Sequence, residues 1–316
     1  MDGYNILITS ISKKVPLIKA VRKASMKLGN TSKIFGADLN PNCIGKFFVD
    51  SFWQMPSIHE IGINELISYC VNNNIKAIIP TRDGELPFFS DYKEELFNHK
   101  INVLISHKEI IEVCLDKLLF YSKLLELNCP VITTVENIDQ LNCNYFVVKE
   151  RFGAGSKYIG LKLTREEALK KSKEMKKPIF QPYIEGEEYS IDVYITQSKQ
   201  TKGVIVRKRV LVENGESQIT STVRNHNVEL IFSKVAEDLG LYGHAVFQAI
   251  VDRHGTIHII ECNSRFGGAS TLSIAAGLDS FYWFLMESSG FNIDNYEFKR
   301  SIHEKTQVRY AEDMVI

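Results

Sequence analysis

Phe247-Gln248-Ala249-Ile250-Val251-Asp252, a turn at His254-Gly255, and then Ile259-Ile260-Glu261-Cys262-Asn263-Ser264-Arg265 is the stretch that decides how this chain is read. Apolar and polar residues alternate on both sides of the turn, as in a half-buried antiparallel hairpin. Strand side chains point to alternate faces, so Glu261, Asn263 and Arg265 share one face and Cys262 points into the core. Gln248 lies on the neighbouring strand, where it can meet them. One carboxylate and two amide oxygens are hard donors suited to Mg²⁺, which takes few protein ligands and keeps its remaining positions for phosphate oxygens. Arg265 beside them is a fixed cation for a transferring phosphoryl group. A solvated polar face on an ordinary hairpin accounts for the same residues equally well, so the flanking segments have to decide.

Working upstream, YFVVK (145–149) is a strand ending in Lys149, followed by RFGAGSKYIG (151–160). Glycines let backbone N–H groups converge on phosphate oxygens, and a strand-borne lysine beside them neutralises phosphate charge. A hairpin turn with a solvated lysine is the plainer reading of that segment alone. In QPYIEGEEYSID (181–192) an extended stretch can pair with adenine through its backbone, with a carboxylate a few residues on for ribose hydroxyls; the alternative is an exposed acidic turn. In KGVIVRKRVLV (202–212), strand alternation puts Arg207 and Arg209 on one face. If that face is a cleft, the pair grips an acyl phosphate or a substrate carboxylate; otherwise the strand is merely basic and solvated. Arg224, Asn225 and His226 are expected to line the same cleft. Gly267-Gly268-Ala269-Ser270 either leave room for substrate or cap a helix beginning at Thr271.

The first hundred residues alternate differently. YNILIT (4–9), KIFGAD (33–38), KAIIPT (76–81) and INVLIS (101–106) read as strands, with helices over 15–28, 60–73 and near 91–99. That alternation predicts an open parallel α/β sheet, which binds ligands at the carboxyl ends of its strands. No GxGxxG follows ILIT and no GxxxxGK[ST] occurs anywhere, which argues against a nicotinamide-dependent oxidoreductase. From 107 onward the pattern becomes α+β. A single helical run spans 108–128 with Asp116-Lys117 in its middle, and Cys129-Pro130 ends it. Further helices are expected at 165–176 and 227–239. No strong pattern follows Asp294.

Composition bounds the function. The 316 residues suit two or three domains, with 44% hydrophobic and 24% charged residues. Lys+Arg 38 balances Asp+Glu 38, which argues against a general nucleic-acid binder. No run of eighteen apolar residues predicts a membrane span, and the N-terminus reads as the start of a strand rather than a signal peptide. The six cysteines are scattered without a CxxC pair, and are expected to be reduced thiols in a cytoplasmic protein.

Asp116-Lys117, Val148-Lys149, GAGS (153–156), QPYIEGEEYSIDV (181–193), Phe247-Gln248 and IIECNSRFGG (259–268) form an ordered series. That series resembles the ATP-grasp superfamily, and within it the stand-alone carbamoyl-phosphate-synthase-like carboxylate–amine ligases. The resemblance runs from ILITS near the N-terminus, through IPTRDGELP (79–87), to SIAAG (273–277). It implies a Rossmann-like pre-ATP-grasp domain over 1–106, built on the open parallel α/β sheet. An α+β ATP-grasp domain follows, with a small subdomain over 107–182 and a large one over 183–316.

It also implies roles. Lys117 and Lys149 match lysines on the ATP phosphates, and Gly153, Ala154, Gly155 and Ser156 the phosphate-covering loop. Gln181, Tyr183 and Ile184 match the adenine hinge, and Glu188 the ribose carboxylate. Gln248, Glu261 and Asn263 match the Mg²⁺ ligands; Gln248 departs from the acid common there and marks the carbamoyl-phosphate-synthase branch. Arg265 matches the arginine at the transferred phosphoryl, so Arg265, Arg207 and Arg209 are the expected catalytic cations. The implied reaction uses ATP and Mg²⁺, with Mn²⁺ as a substitute. It activates a small carboxylate as an acyl phosphate for attack by an amine, releasing ADP and phosphate. A regulatory pseudo-ligase and carbamoyl-phosphate-type kinase chemistry are the alternatives. Small-molecule substrates are the expected partners, without nucleic acid or membrane, and relatives suggest a homodimer.

Overall fold

The structure is a computed structural model that describes residues 3–29, 32–153, 159–213 and 215–315. Its first part alternates strand and helix: β1 (Asn5–Thr9), α1 (Val15–Lys27), β2 (Ile34–Asp38), β3 (Ser51–Gln54), α2 (Ile63–Asn72), β4 (Ile75–Ile79), α3 (Leu86–Asp91), α4 (Lys93–Asn98) and β5 (Asn102–Val103). The strands form one parallel sheet in the order β3-β2-β1-β4-β5. Ile6, Leu7 and Ile8 of β1 and Ile78 and Ile79 of β4 are fully buried, as central strands covered on both faces require. The chain reverses its winding between β1 and β4, so the carboxyl ends of those two strands form the crevice where open α/β sheets take ligands.

The second part begins with α5 (Lys108–Leu115) and α6 (Lys117–Glu126). Here the expected single helix is broken. Asp116 is extended (φ −106°, ψ 105°), and its carboxylate accepts from the N–H groups of Leu118 and Leu119 at 3.0 and 3.2 Å. An aspartate that satisfies orphan helix donors starts a new helix more favourably than it continues an old one. A three-stranded antiparallel sheet follows, made of β6 (Phe146–Glu150), β7 (Gly160–Leu163) and β8 (Pro178–Pro182) in the order β7-β6-β8, with α7 (Arg165–Ser172) between β7 and β8. Thr164 and Glu167 form a reciprocal capping box at the start of α7.

The remaining chain builds β9 (Gly186–Ile195), β10 (Thr201–Glu213), β11 (Glu216–Val223), α8 (His226–Asp238), β12 (Gly243–Asp252), β13 (Ile257–Asn263), α9 (Thr271–Ala275), α10 (Ser280–Ser288) and β14 (Thr306–Val308). Its strands form an antiparallel sheet in the order β13-β12-β9-β10-β11-β14. One face of that sheet packs on α8 through Ile191, Val193, Phe232, Val235 and Phe247. The patternless tail supplies β14, an edge strand paired with β11, which alternation over three residues could not announce. No helix among the described residues is long and apolar enough to cross a membrane.

Candidate active site

The hairpin that opened the sequence reading forms with Gln248 directly opposite Glu261 and Val246 opposite Asn263. Cys262, on the other face, is buried in the α8-facing core. The polar face lines a cavity of about 1310 Å³ between the two antiparallel sheets, closed at one end by the residues after β13. Every described residue expected to hold the nucleotide, the metal or the transferring phosphoryl lines this one cavity. Ala154, Gly155 and Ser156 lie outside the described residues.

Lys149 enters from β6. It is 7% exposed, and its side chain makes no hydrogen bond or ion pair among the described residues. Burial drives its ammonium down to about 8; Glu261 opposes that shift, Lys117 adds to it and Glu188 opposes it. Lys117, the first residue of α6, donates to the Gly153 carbonyl at 2.8 Å. The Asp116 cap also takes a two-pronged hydrogen bond from Arg151, at 2.7 and 2.6 Å. The β6 end and the α6 start are thereby clamped together, with Lys117 between them. Glu261 and Asn263 likewise have no partner among the described residues, so their oxygens face the cavity unspent.

At the hinge, Gln181 is buried and donates from Nε2 to Thr134 Oγ1 at 2.8 Å. The Tyr183 N–H is taken by the Tyr145 carbonyl at 2.9 Å, and Ile184 follows on the same wall. Glu188 is not free: its Oε1 accepts from Arg209 at 2.5 Å. Arg209 also reaches Gln248 Oε1 at 3.2 Å and the Gly215 carbonyl at 2.9 Å.

The two arginines of β10 differ. Arg207 is 2% exposed, and its Nε donates to Asp192 at 2.5 Å. Asp192 is wholly buried and also accepts from His244 Nε2 at 3.0 Å, Ser273 Oγ at 2.9 Å and Ser270 Oγ. Burial raises that carboxyl, but Arg207 and His244 outweigh it and hold it well below the usual carboxylate range. The terminal nitrogens of Arg207 have no hydrogen-bond partner among the described residues, and the residue lines the cavity. Arg265 is gripped by Asp83 through a fork at 2.7 and 2.5 Å. Asp83 sits just past β4, at the switch-point crevice of the parallel sheet, so this pair joins the two halves of the molecule. Lys14, also at that crevice, donates to Thr81 Oγ1 at 2.7 Å, and burial together with Arg265 lowers it to about 8 against the pull of Glu85 and Asp83.

Three expectations are corrected. Arg224, Asn225 and His226 are exposed and do not line the cavity. Asn225 instead caps α8, accepting from the Val228 N–H at 3.1 Å, and Arg224 binds the Ser301 carbonyl. Two contributors were missed. Asp83 lies within the quoted IPTRDGELP, but nothing in that stretch points to Arg265. Arg309 reaches the cavity from the segment after β14, and a side chain on Gly268 would meet its Nη2 at 2.6 Å. Gly268 thus makes room for the Arg309 guanidinium, while a side chain on Gly267 would meet Ser270 Oγ and Val246.

Residues 114–269 match the model of an ATP-grasp domain, and residues 6–104 match that of a PylC-like N-terminal domain. Residues 114–269 have the ATP-grasp fold. All the cavity residues from Lys117 to Arg265 fall within that span, and Asp83 falls within the N-terminal match. The architecture also resembles solved structures. One is the biotin carboxylase domain dimer of the Hydrogenobacter thermophilus 2-oxoglutarate carboxylase, in complex with MgADP, ADP and bicarbonate. It aligns with TM-score 0.76 and 13% identity over 97% of this chain and 74% of that one. Biotin carboxylase from Campylobacter jejuni aligns with TM-score 0.76 and 13% identity over 96% and 74%. N5-carboxyaminoimidazole synthetase from Staphylococcus aureus, complexed with ADP, aligns with TM-score 0.70 and 17% identity over 93% and 79%. At these identities the likeness establishes the ATP-grasp fold behind its parallel-sheet domain. No curated protein sequence matches the chain.

Proposed function

We propose that this protein is an ATP- and Mg²⁺-dependent carbon–nitrogen ligase. In this reading it activates a small carboxylate as an acyl phosphate and passes it to an amine, releasing ADP and phosphate. The observation that carries the reading is the set of unspent polar groups on one cavity: Lys149, Glu261 and Asn263 are brought together from two sheets with no partners among the described residues. Burying such groups costs free energy unless a ligand completes them. A lysine opposite a carboxylate and an amide oxygen suits a polyphosphate with its cation.

The donor set fits Mg²⁺. Glu261 supplies the carboxylate and Asn263 an amide oxygen, while the Gln248 oxygen is turned to Arg209; few protein donors are what a phosphate-bound Mg²⁺ requires. When bound, the ion neutralises phosphate charge; Mn²⁺ has the same preference for oxygen and substitutes. The chain's residues do the rest. Gln181, Tyr183 and Ile184 form the wall against which the base lies, and Glu188 takes the ribose hydroxyls. Lys117 and Lys149 hold the phosphates, with Gly153 beside them on the cavity wall. The substrate carboxylate binds the outer nitrogens of Arg207, which Asp192 holds in one orientation. One carboxylate oxygen attacks the γ-phosphorus in line, and the bond to the β,γ-bridging oxygen breaks to leave ADP. Arg265, fixed by Asp83, stabilises the charge on the moving phosphoryl. The amine then adds to the acyl carbon, loses a proton, and phosphate departs with the carbon–oxygen bond electrons. Water excluded from the closed cavity does not intercept the acyl phosphate. Gln248 supports the carbamoyl-phosphate-synthase-like branch as the subtype.

Hydroxylamine tests the first half-reaction alone. With MgATP and a panel of small carboxylates, the protein is expected to form a hydroxamate from at least one acid, with equimolar ADP. ADP without hydroxamate, for every acid that stimulates turnover, would contradict acyl-phosphate chemistry.

A further inference from the structure

Arg209 holds a position that the reaction scheme alone does not explain. Its side chain is 6% exposed, and it bridges Glu188 Oε1 at 2.5 Å and Gln248 Oε1 at 3.2 Å. Nη2 anchors the guanidinium to the Gly215 carbonyl in the β10–β11 turn. Gln248 thus has its only acceptor atom turned onto a cation that is itself fixed at three points. Directly across the hairpin, Glu261 and Asn263 have no partner among the described residues. The two ends of the expected metal set are therefore inequivalent: one is open, and the other already faces a positive charge.

We propose that Arg209 stands in for a second divalent cation, so that the site takes one Mg²⁺ per nucleotide, on Glu261 and Asn263. This rests on the nucleotide reading above and deepens it. A divalent ion on Gln248 would set its charge against a buried guanidinium with one neutral oxygen between them, in a medium that screens poorly. No group of three or more His, Cys, Asp or Glu able to hold a metal occurs among the described residues, so no carboxylate cluster offsets a second ion there. Arg209 supplies positive charge at that end without coordination chemistry, and its bond to Glu188 links the ribose carboxylate to the metal end.

The test counts Mn²⁺ by loss of its free-ion electron paramagnetic resonance signal, at saturating β,γ-imido ATP, on the full chain. One Mn²⁺ per bound nucleotide is expected for the unaltered protein. One is also expected for Gln248→Glu, because Arg209 neutralises the new carboxylate. Gln248→Glu combined with Arg209→Ala is expected to bind two, with spin coupling between them. Two ions in the unaltered protein or in Gln248→Glu would overturn the proposal, as would one ion in the double variant. Should the double variant lose nucleotide binding, the first two counts still decide. Failure of the unaltered chain to bind the nucleotide would instead overturn the nucleotide reading, and this proposal with it.

Discussion

At the scale of the residue, Lys149 gives the sharpest prediction. Burial lowers its ammonium from 10.5 to about 8. The charged form is therefore disfavoured in the folded protein: its cost is present below pH about 8 and disappears as pH rises toward the unfolded value. A bound polyphosphate reverses the preference, because it favours the protonated amine. Nucleotide binding is expected to take up a proton near and above pH 8, and affinity is expected to fall as pH rises through that range. Calorimetry in buffers of different ionisation enthalpy reads the uptake directly, and Lys149→Met is expected to abolish it along with most of the affinity. An uptake unchanged by Lys149→Met would assign it to another group. Much of this site was readable from residues alone, because strand alternation forces Glu261 and Asn263 to one face. Arg207 was only half readable: alternation put it on the cavity side, but nothing local announced the buried Asp192 fifteen residues upstream.

Elements carry the next level. The break between α5 and α6 positions Lys117, and it depends on Asp116. Burial raises that carboxyl, but Arg151 and the N–H groups of Leu119 and Leu118 together hold it below its ordinary value. Its contribution is therefore complete above the unfolded carboxylate pKa and is lost as pH falls through the lower folded value. Asp116→Ala is expected to cost about 1–2 kcal/mol of stability from the cap alone. It should also weaken nucleotide binding, because Arg151 no longer ties β6 to α6. Asp116→Asn is expected to keep most of the cap and lose the fork, which denaturant titration and nucleotide affinity can separate. Another element ends at Gly277, where φ is 112° and a Cβ would lie 2.2 Å from the Lys299 carbonyl oxygen. Gly277→Ala is expected to destabilise by about 1–3 kcal/mol through backbone strain and displacement of the tail; an unchanged urea midpoint would refute this packing. The helix break was missed because the apolar period runs through Asp116 without interruption, and a cap is visible only when competing backbone donors are located. The strand β14 was missed because three residues carry too little alternation to register.

Across the whole molecule, the parallel-sheet domain and the ATP-grasp domain meet at the pair Asp83–Arg265, whose members are 182 positions apart. No local pattern could reveal it. Asp83 lies in IPTRDGELP and Arg265 in IIECNSRFGG, two segments of the family resemblance, but neither segment points to the other. The consequence is kinetic: if Asp83 orients Arg265, Asp83→Ala should lower turnover on the order of 100-fold, as loss of orientation does, while nucleotide affinity changes little. Equal losses in both would make the pair structural. In the proposed reading, the choice of substrates falls to the cavity end formed by Arg207, Gly268 and Arg309, where the tail meets the large antiparallel sheet. The measurement that reaches the central claim most directly is ADP and phosphate release from MgATP, with small carboxylates and amines supplied singly and in pairs and Glu261→Ala as the blank. The account predicts release that requires a carboxylate and an amine together and vanishes in Glu261→Ala. Tight MgATP binding with no release from any pair, or release untouched by Glu261→Ala, would contradict it.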